Sequence, residues 1–512
     1  MSESLRPGSL PVVVIGGGPA GMAAAAAAVR EGAQVSLVDA APLLGGQYWR
    51  HGAKDEAPGA PAPRWHHGWS TFQGLRSSLE QARGAGRLTV LPSTQAWALQ
   101  PQADGEFVVR TSRLPEAEPG SPAPGTDELR ARSVVLAPGA YDRQLPVDGW
   151  TLPGVMAAGG LQAFIKVQEA SPGQRVLLAG TGPFLLAAAA SVLQAGAQVV
   201  AVCESADLTG WVPRGASAAL VPSKGVEGAQ YAALLARHRV PYLTRTVITR
   251  IEGEDRVRTV QVGRADHRGR ALPGAPRRFE DVDVVGLGWG FVPQAELLLQ
   301  TGAATRMDVD GSLVGAVDHD QSTNLPGLYL AGEITGVTGA TGAVAEGEIA
   351  GAAAAHHAVG ADDGAGPFRA PRGAVLARAR HRTFAQAMHH AHPVPQHWQD
   401  RAADDTLLCR CEEVTMGEAI AARDDLDLHD ARSLKGSTRV AMGLCQGRIC
   451  GFAASCLAGS GTEPRAVPAL EDAIALARRP LGLPLTLGAL AADAPAEVTV
   501  ATEPLPSSGD RT

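Results

Sequence analysis

Residues 11–39 of the 512-residue chain read PVVVIGGGPAGMAAAAAAVREGAQVSLVD. Two valine-rich apolar runs in this stretch predict buried parallel strands, and the alanine-rich run between them predicts a helix. Glycines let a backbone approach a pyrophosphate, a helix N-terminus offers N–H donors, and an acid after the second strand accepts ribose hydroxyls. The order of these elements favours a dinucleotide site over an ordinary glycine turn. The residues predicted to form it are Gly16, Gly18, Pro19, Ala20, Gly21 and Asp39.

The same order of elements recurs further along the chain, as a strand at 175–179, a turn (GTGPFL) at 180–185, a helix at 186–194, a strand at 199–202 and then Glu204. Leu185 stands where the fingerprint has its third glycine, and we expect its side chain to hold the helix off the strand. Glu204 and Asp207, with no basic residue beside them, disfavour a 2′-phosphate, which favours NAD over NADP. A second nucleotide domain is predicted. Binding of a second nucleotide, NAD or ATP, at Gly180 and Gly182 is left open.

The overall composition excludes several classes of protein. A net charge of −7 and a pI near 6.1 offer no basic face to a nucleic acid. Residues 11–29 carry no charge, but the glycines among them are unfavourable in a signal peptide or a membrane-spanning helix. The few cysteines, most of them clustered, do not suggest a secreted disulfide fold. We therefore predict a cytoplasmic protein with no transmembrane segment.

Four cysteines form a candidate metal site, namely Cys409, Cys411, Cys445 and Cys450. A single residue separates the first two, which is tight for tetrahedral zinc, whereas iron–sulfur clusters are also held by four cysteines and tolerate such spacing. Glycines around the second pair would let a loop wrap closely around a cluster. A 2Fe-2S cluster is favoured and zinc is the alternative. Cys203 and Cys456 are predicted to be buried small hydrophobes.

Five histidines invite a second metal hypothesis, namely His381, His389, His390, His392 and His397. Their spacing matches no defined metal-site pattern, and no Cys or Glu lies among them. We interpret this segment as a solvated linker.

Three apolar runs, at 133–137, 283–287 and 327–331, each lead into a glycine, and we assign all three to the first domain. Because the last run follows the second glycine turn, the first domain resumes after the second one. The predicted fold is α/β, with two dinucleotide-binding (Rossmann-like) domains, the second inserted in the first, followed by a small C-terminal iron–sulfur (BFD-like) domain. The predicted boundaries are 10–155 and 276–360 for the FAD-binding domain, 156–275 for the inserted domain, 361–404 for a linker and helix, 405–460 for the four-cysteine domain, and 461–512 for a C-terminal extension and tail.

Several motifs carry a resemblance to a known family: residues 16–21 (GGGPAG), 45–48 (GGQY), 138–143 (PGAYDR), 152–156 (LPGVM) with Gly159 and Gly160, Gly182 with Pro183, 331–333 (AGE), 409–415 (CRCEEVT) and 443–448 (GLCQGR). Together they resemble the large FAD subunit of multi-subunit dehydrogenases, a family that includes opine oxidases, hydrogen cyanide synthase, and D-hydroxyproline and proline dehydrogenases. The resemblance covers about residues 10–490. It is specific in the cysteine segments and generic in the dinucleotide folds.

The resemblance implies a division of labour between subunits. A partner FAD subunit of the D-amino-acid-oxidase type oxidises an amino or imino acid, and the large subunit takes the electrons through FAD and a 2Fe-2S cluster, often with a small ferredoxin-like partner. Pro138 and Glu333 depart from the family pattern, which more often has Thr and Asp there. The implied FAD contacts are Gly16, Gly18 and Gly21 at the pyrophosphate, Asp39 at the adenosine ribose, Gly139 near the FAD, and Gly332 and Glu333 on the ribityl and phosphate side; Gly46 and Gln47 complete the predicted set.

Three functions follow as hypotheses. The first is an electron-transfer subunit of a heteromeric amino-acid or imino-acid dehydrogenase of opine or proline type. The alternative is a self-sufficient NAD(P)H-dependent flavin or ferredoxin-type reductase. A third is a docking scaffold whose second nucleotide site holds a regulatory nucleotide.

Overall fold

A computed structural model describes residues 11–56, 66–114, 126–363, 367–459 and 464–492. The predicted start of the first domain at residue 10, residues 364–366 of the predicted linker, and residues 461–463 and 493–512 of the predicted C-terminal extension lie outside these ranges. None of the helices in the described part of the chain combines the length and the apolar character needed to cross a membrane.

The first part of the chain contains β1 (Val12–Ile15), α1 (Pro19–Arg30), β2 (Val35–Val38), α2 (Trp69–Gly84), β3 (Leu88–Leu91), β4 (Thr94–Pro101), β5 (Phe107–Arg113), β6 (Thr126–Ala131), β7 (Ser133–Leu136) and β8 (Ala140–Asp142). Strands β1, β2, β3 and β7 are parallel neighbours in one sheet, and β4, β5 and β6 form a separate antiparallel sheet. The strands of the parallel sheet are short and valine-rich, as expected for strands buried on both faces.

The middle of the chain contains β9 (Val155–Ala157), α3 (Ala158–Gln168), β10 (Arg175–Gly180), α4 (Phe184–Gln194), β11 (Gln198–Glu204), α5 (Gly215–Ala218), α6 (Pro222–Arg237), β12 (Tyr242–Leu243), β13 (Thr246–Glu252), β14 (Thr259–Arg264), β15 (Arg277–Phe279), β16 (Val284–Gly288) and β17 (Phe291–Pro293). A second parallel sheet has the order β12-β11-β10-β16-β9. The predicted α/β class with two Rossmann-like sheets is confirmed.

The assignment of residues 283–287 to the first domain is wrong. Strand β16 pairs in parallel with β10 and lies inside the second sheet, so this sheet runs past the predicted boundary at residue 275. The physical reason is packing that the sequence does not show. Gly286 and Gly288 of β16 leave the space that Leu178 and Leu185 fill, because a Cβ at these glycines would come within 2.5 and 2.9 Å of the two leucine side chains.

The last part of the chain contains α7 (Glu296–Thr301), β18 (Thr305–Met307), β19 (Leu313–Gly315), β20 (Leu328–Leu330), α8 (Ala340–Asp363), α9 (Arg372–Ala391), β21 (Leu407–Cys409), β22 (Val414–Thr415), α10 (Met416–Asp425), α11 (Ala431–Thr438), α12 (Gly451–Ala458), α13 (Leu470–Ala477) and α14 (Leu487–Ala492). Strand β20 returns to the first sheet, which has the order β20-β7-β1-β2-β3.

Small residues bring α1 and α8 unusually close together behind the first sheet. A Cβ at Gly347 or Gly351 of α8 would lie 2.1 Å from the backbone oxygen of Ala20 or Ala24, respectively. Alanines fill most of α1, so the two helices touch along their backbones. This contact fixes the N-terminal end of α1, where the first glycine turn lies.

Helix α9 and the segment after it are packed against the protein, so the interpretation of a solvated linker is wrong. His381, His392 and His397 are buried, with 8%, 8% and 1% of their surfaces exposed. The helix lies against α8, and the segment after it reaches the second domain. The sequence did not reveal this because the apolar contacts of α9 come mainly from alanines.

Candidate functional site

A cavity of about 2020 Å³ opens between the first sheet, the second domain and the four-cysteine segment. Side chains and backbone from all three regions line it, including Gly16, Asp39, Glu333, Lys166, Tyr141 and Arg448. The volume exceeds the usual range for sites of small ligands, so the cavity has room for a molecule as large as a dinucleotide.

The first glycine turn forms one end of this cavity. Gly16 has a φ of +107°, and a Cβ there would lie 2.1 Å from the backbone oxygen of Ala137 on the neighbouring strand. A Cβ at Gly21 would lie 1.7 Å from the oxygen of Gly16, so α1 can approach the strand only with glycine there. Helix α1 begins at Pro19 after Gly18, and no side chain caps it. Its free N–H groups therefore face the cavity, as an anion site requires.

Asp39 lies beside this turn at the end of β2. Its Oδ1 accepts a hydrogen bond from the Ala41 N–H at 3.1 Å, and its buried Oδ2 has no partner among the described residues. Burial raises the pKa of Asp39 to about 6, although the backbone N–H groups of Ala41, Gly17 and Ala40 lie close enough to oppose this rise; those near Oδ2 do not reach hydrogen-bond geometry. A Cβ at Gly17 would lie 2.2 Å from this Oδ2, so glycine keeps the space beside the oxygen open. A buried acceptor without a donor fits a ligand hydroxyl.

Three further predicted residues line the cavity near the turn. Gly46 has a φ of +59°, and a Cβ there would lie 2.8 Å from the Cα of Gly18. Gln47 accepts a hydrogen bond from the Arg50 Nε at 2.9 Å through its side-chain oxygen. Gly139 has a φ of +83° and no protein atom within 4 Å of an added Cβ, so it leaves open space at the carboxyl end of β7.

Gly332 and Glu333 close the opposite side of the cavity, after β20. The Gly332 N–H donates to Oε2 of Glu346 at 2.9 Å, and Arg382 of α9 donates to the other oxygen of Glu346 at 3.0 Å. Oε2 of Glu333 is buried and has no partner among the described residues. Burial, together with the nearby Glu346 carboxylate, raises the pKa of Glu333 to about 8.

Sequence reasoning missed several residues of this site. Lys166 is buried and donates from Nζ to the backbone oxygen of Tyr48 at 2.7 Å, and burial lowers its pKa to about 8. Its signal was that it is the one charged residue of α3. Glu346 and Arg382 left no signal, because they come from two helices that meet only in the folded protein.

The second glycine turn differs from the expectation for Leu185. Leu185 does not hold α4 off the sheet, because it is buried against the sheet in the space that Gly288 leaves. Glu204 accepts hydrogen bonds from the N–H groups of Gly182 and Ala206, both at 2.9 Å, and is completely buried. Each oxygen of this acid therefore already accepts a hydrogen bond from the protein backbone.

The four predicted metal ligands lie together beside the cavity. The Cys450 thiol hydrogen-bonds to the sulfurs of Cys409 and Cys445, and Cys445 also contacts Cys411. Hydrogen bonding from Cys450 lowers the pKa of Cys409 to about 6 and that of Cys445 to about 5. Over the described ranges, no group of three or more His, Cys, Asp or Glu side chains is arranged to hold one metal ion. The metal prediction therefore stays a prediction.

The chemistry around the four sulfurs fits a cluster. Backbone N–H groups donate to sulfur at Cys409 and at Cys445, and such donors tune iron–sulfur clusters. A Cβ at Gly443 would lie 2.3 Å from the Cβ of Cys411, so the loop closes on the thiols only with glycine there. Gly447, with a φ of +78°, turns the same loop.

Arg448 joins the cysteine loop to the wall of the cavity. Its Nε donates to the hydroxyl of Tyr141 at 2.9 Å and lies 3.0 Å from Oε1 of Glu296. One of its terminal nitrogens donates to the backbone oxygen of Cys445 at 3.1 Å. Both Arg448 and Tyr141 line the cavity, so one side chain contacts both candidate cofactor sites.

Comparison with known proteins places the chain in a family. Residues 10–358 match the pyridine nucleotide-disulphide oxidoreductase family. The chain is 31% identical to the A subunit of opine oxidase from Rhizobium meliloti (strain 1021), covering 94% of this chain and 98% of that protein. It is 29% identical to hydrogen cyanide synthase subunit HcnB of Pseudomonas protegens, covering 86% of this chain and 90% of that protein.

A solved structure supports the same fold. The structure of L-proline dehydrogenase from P. horikoshii aligns with a TM-score of 0.63 at 20% identity, over 96% of this chain and 81% of that one. At this identity the likeness shows the fold alone. The chain is a flavin-dependent oxidoreductase that belongs to the pyridine nucleotide-disulphide oxidoreductase family and, within it, to the group that contains the A subunits of opine oxidases and the HcnB subunits of hydrogen cyanide synthases.

Proposed function

We propose that the chain is the FAD- and 2Fe-2S-containing electron-transfer subunit of a heteromeric amino-acid or imino-acid dehydrogenase of opine or proline type. In this proposal a D-amino-acid-oxidase-like FAD subunit delivers the electrons, a small ferredoxin-like subunit is a further partner, and the complex is cytoplasmic. The names of the relatives support such a role, because the opine oxidase A subunits and HcnB are parts of larger enzymes.

The first glycine turn and the residues around it would hold the FAD. The pyrophosphate would lie at Gly16, Gly18 and Gly21, with Pro19 and Ala20 opening the helix, and the adenosine ribose would lie at Asp39. When bound, FAD accepts two electrons and releases them singly. The unpartnered oxygens of Asp39 and Glu333 support this assignment, because each is a buried polar atom that a ligand group would satisfy.

The four thiols would hold the 2Fe-2S cluster, with Cys409, Cys411, Cys445 and Cys450 as ligands. Thiolate is the preferred ligand of such clusters. Zinc remains the alternative occupant, and metal analysis separates the two.

The contact of Arg448 with both Tyr141 and Cys445 carries the proposal. A cluster beside a flavin is useful only if electrons can pass between them, and this side chain keeps the cysteine loop against the cavity wall. Ile449 and Arg410, from the two cysteine segments, also line the cavity.

The chain lacks the cysteine pair that a disulfide reductase would need near its flavin or in its second domain. Residues 45–50 (GGQYWR) carry no cysteine, and Cys203, in the second domain, is buried in β11. Reduction by NAD(P)H, the alternative function, would need a free acid at the second turn, whereas Glu204 has both oxygens engaged.

Replacement of one ligand tests the cluster. Cys445→Ser should lose iron and acid-labile sulfide and retain FAD, because hard serine oxygen is a poor substitute for thiolate at iron. The matched control is Cys203→Ala, which removes a buried thiol from β11 and should keep all cofactors. Iron, zinc and sulfide are measured on the full-length chain. One zinc and no sulfide in the parent protein would refute the cluster and leave a structural zinc site.

A further inference from the structure

We propose that the second dinucleotide fold is occupied by the protein itself. In this proposal the segment that follows α9, His392 and Pro393, takes the place beside Glu204 and the second glycine turn that the adenosine end of a nucleotide takes in an open fold. The fold then anchors the linker to the cysteine domain and binds no nucleotide. This inference does not depend on the proposed electron transfer.

The acid of the second fold is engaged from every side. Its two oxygens accept hydrogen bonds from the N–H groups of Gly182 and Ala206, and the carboxylate is completely buried. The hydroxyl of Tyr242 lies 3.5 Å from the same Oε2 that binds Gly182. Each carboxylate oxygen can accept a second hydrogen bond, so a ribose hydroxyl would need the space beside them, where His392 lies.

The imidazole of His392 lies directly on this carboxylate. Its Nδ1 is 3.3 Å from Oε2 of Glu204, and its Nε2 accepts a hydrogen bond from the indole Nε1 of Trp211 at 2.9 Å. Since the indole can only donate, Nε2 is the acceptor, and Nδ1 is the ring nitrogen on the side of the acid. Nδ1 makes no hydrogen bond to Glu204, but the imidazole fills the space beside the carboxylate that a ribose would need.

The backbone of the same segment covers the glycine turn. The Thr181 hydroxyl donates to the backbone oxygen of Pro393 at 3.4 Å. On the other side, a Cβ at Gly210 would lie 3.0 Å from the oxygen of Ala391, and one at Gly269 would lie 2.2 Å from the Cβ of Pro395. Glycines in the second domain therefore make room for this segment.

Contacts on both sides hold the segment in place. Upstream, Arg382 of α9 pairs with Glu346 of the first domain at 3.0 Å. Downstream, the buried His397 lies 3.2 Å from a terminal nitrogen of Arg270 in the second domain. Release of His392 from Glu204 would thus require movement of a segment fixed at both ends, which favours a permanent occupant over a lid.

Ligand titration of the full-length, FAD-loaded chain tests this proposal. Calorimetric titration with ADP-ribose, and separately with ATP, should show no saturable binding to the parent protein at millimolar ligand. His392→Ala removes the imidazole and should bind ADP-ribose, with an affinity at least tenfold tighter than any binding by the parent. The matched control, His390→Ala, changes an exposed histidine at the end of α9 and should behave as the parent protein.

Both unfavourable results are informative. Saturable binding of either ligand to the parent protein would overturn the proposal, and so would failure of a folded His392→Ala to bind, because another feature would then exclude the nucleotide. FAD content and melting temperature show whether that variant is folded. If it is not, His392→Ser, which also removes the imidazole, replaces it under the same criteria. None of these results depends on iron or sulfide, so they are separate from the test of the cluster.

Discussion

The two glycine turns of this protein each join a parallel strand to a helix and lie beside an acid, but the groups around the two acids differ. At the first turn, Asp39 keeps one buried oxygen without a partner among the described residues, beside a large cavity. At the second, Glu204 has both oxygens bound to backbone N–H groups and an imidazole against them. A dinucleotide fingerprint therefore predicts the conformation of the glycine turn. Whether a nucleotide binds there depends on which other parts of the protein lie beside the acid.

The largest effect should come from a charge placed in the first turn. Gly18→Glu should lose nearly all FAD, because a carboxylate would stand where the backbone must approach the pyrophosphate. The control is Gly74→Glu, which adds the same charge at an exposed glycine of α2 with no neighbour near an added Cβ. FAD released on denaturation is measured per chain. Full FAD content in Gly18→Glu would remove the assignment of the first turn.

Replacing each acid by its amide should affect FAD binding at the first turn and only protein stability at the second. Asp39→Asn should weaken FAD binding about tenfold, equivalent to about 1.4 kcal/mol, through loss of a charge-assisted acceptor. Glu204→Gln should leave FAD affinity unchanged and lower the free energy of unfolding by roughly 1–3 kcal/mol, because an amide oxygen cannot replace both carboxylate acceptors. Fluorescence titration and denaturant unfolding measure the two effects. Equal loss of FAD affinity in both variants would contradict the comparison.

A smaller effect concerns pH and Glu333. Its pKa is raised from the ordinary 4.5 to about 8 in the folded protein, chiefly by burial. Between these values the unfolded chain loses the proton first, so the free energy of unfolding should fall as pH rises. In the FAD-free protein, Glu333→Gln should remove the contribution of Glu333 to this pH dependence. The gain in stability of the variant over the parent protein should therefore be largest above pH 8 and small below pH 4.5. The melting temperature of both proteins is measured at several pH values across that range. Parallel plots of melting temperature against pH would show that Glu333 does not cause the slope.

Local pattern made the first turn and the two parallel sheets predictable. Glycine at residues 16 and 21 is required by backbone atoms within a few residues or on the adjacent strand, so the sequence carries the signal. The sheet that β16 joins depends instead on Leu178 and Leu185 filling the space at two glycines. No spacing rule shows that contact.

The rest of the site depends on meetings between distant segments. Lys166 reaches the backbone at Tyr48, and Arg448 reaches Tyr141, only once the domains are packed. The contact of His392 with Glu204 also joins distant segments, and the sequence offered no sign of it because His392 lies in a segment interpreted as a linker. The arrangement of the cysteines as a 2Fe-2S site stays a prediction.

Anaerobic reductive titration of the full-length chain shows whether it carries both a flavin and an iron–sulfur cluster. One FAD takes two electrons and one 2Fe-2S cluster takes one, so the account predicts about three electron equivalents per chain and an electron paramagnetic resonance signal of the reduced cluster. Completion after about two equivalents, with only flavin changes and no cluster signal, would contradict the account and end the electron path of this chain at its flavin.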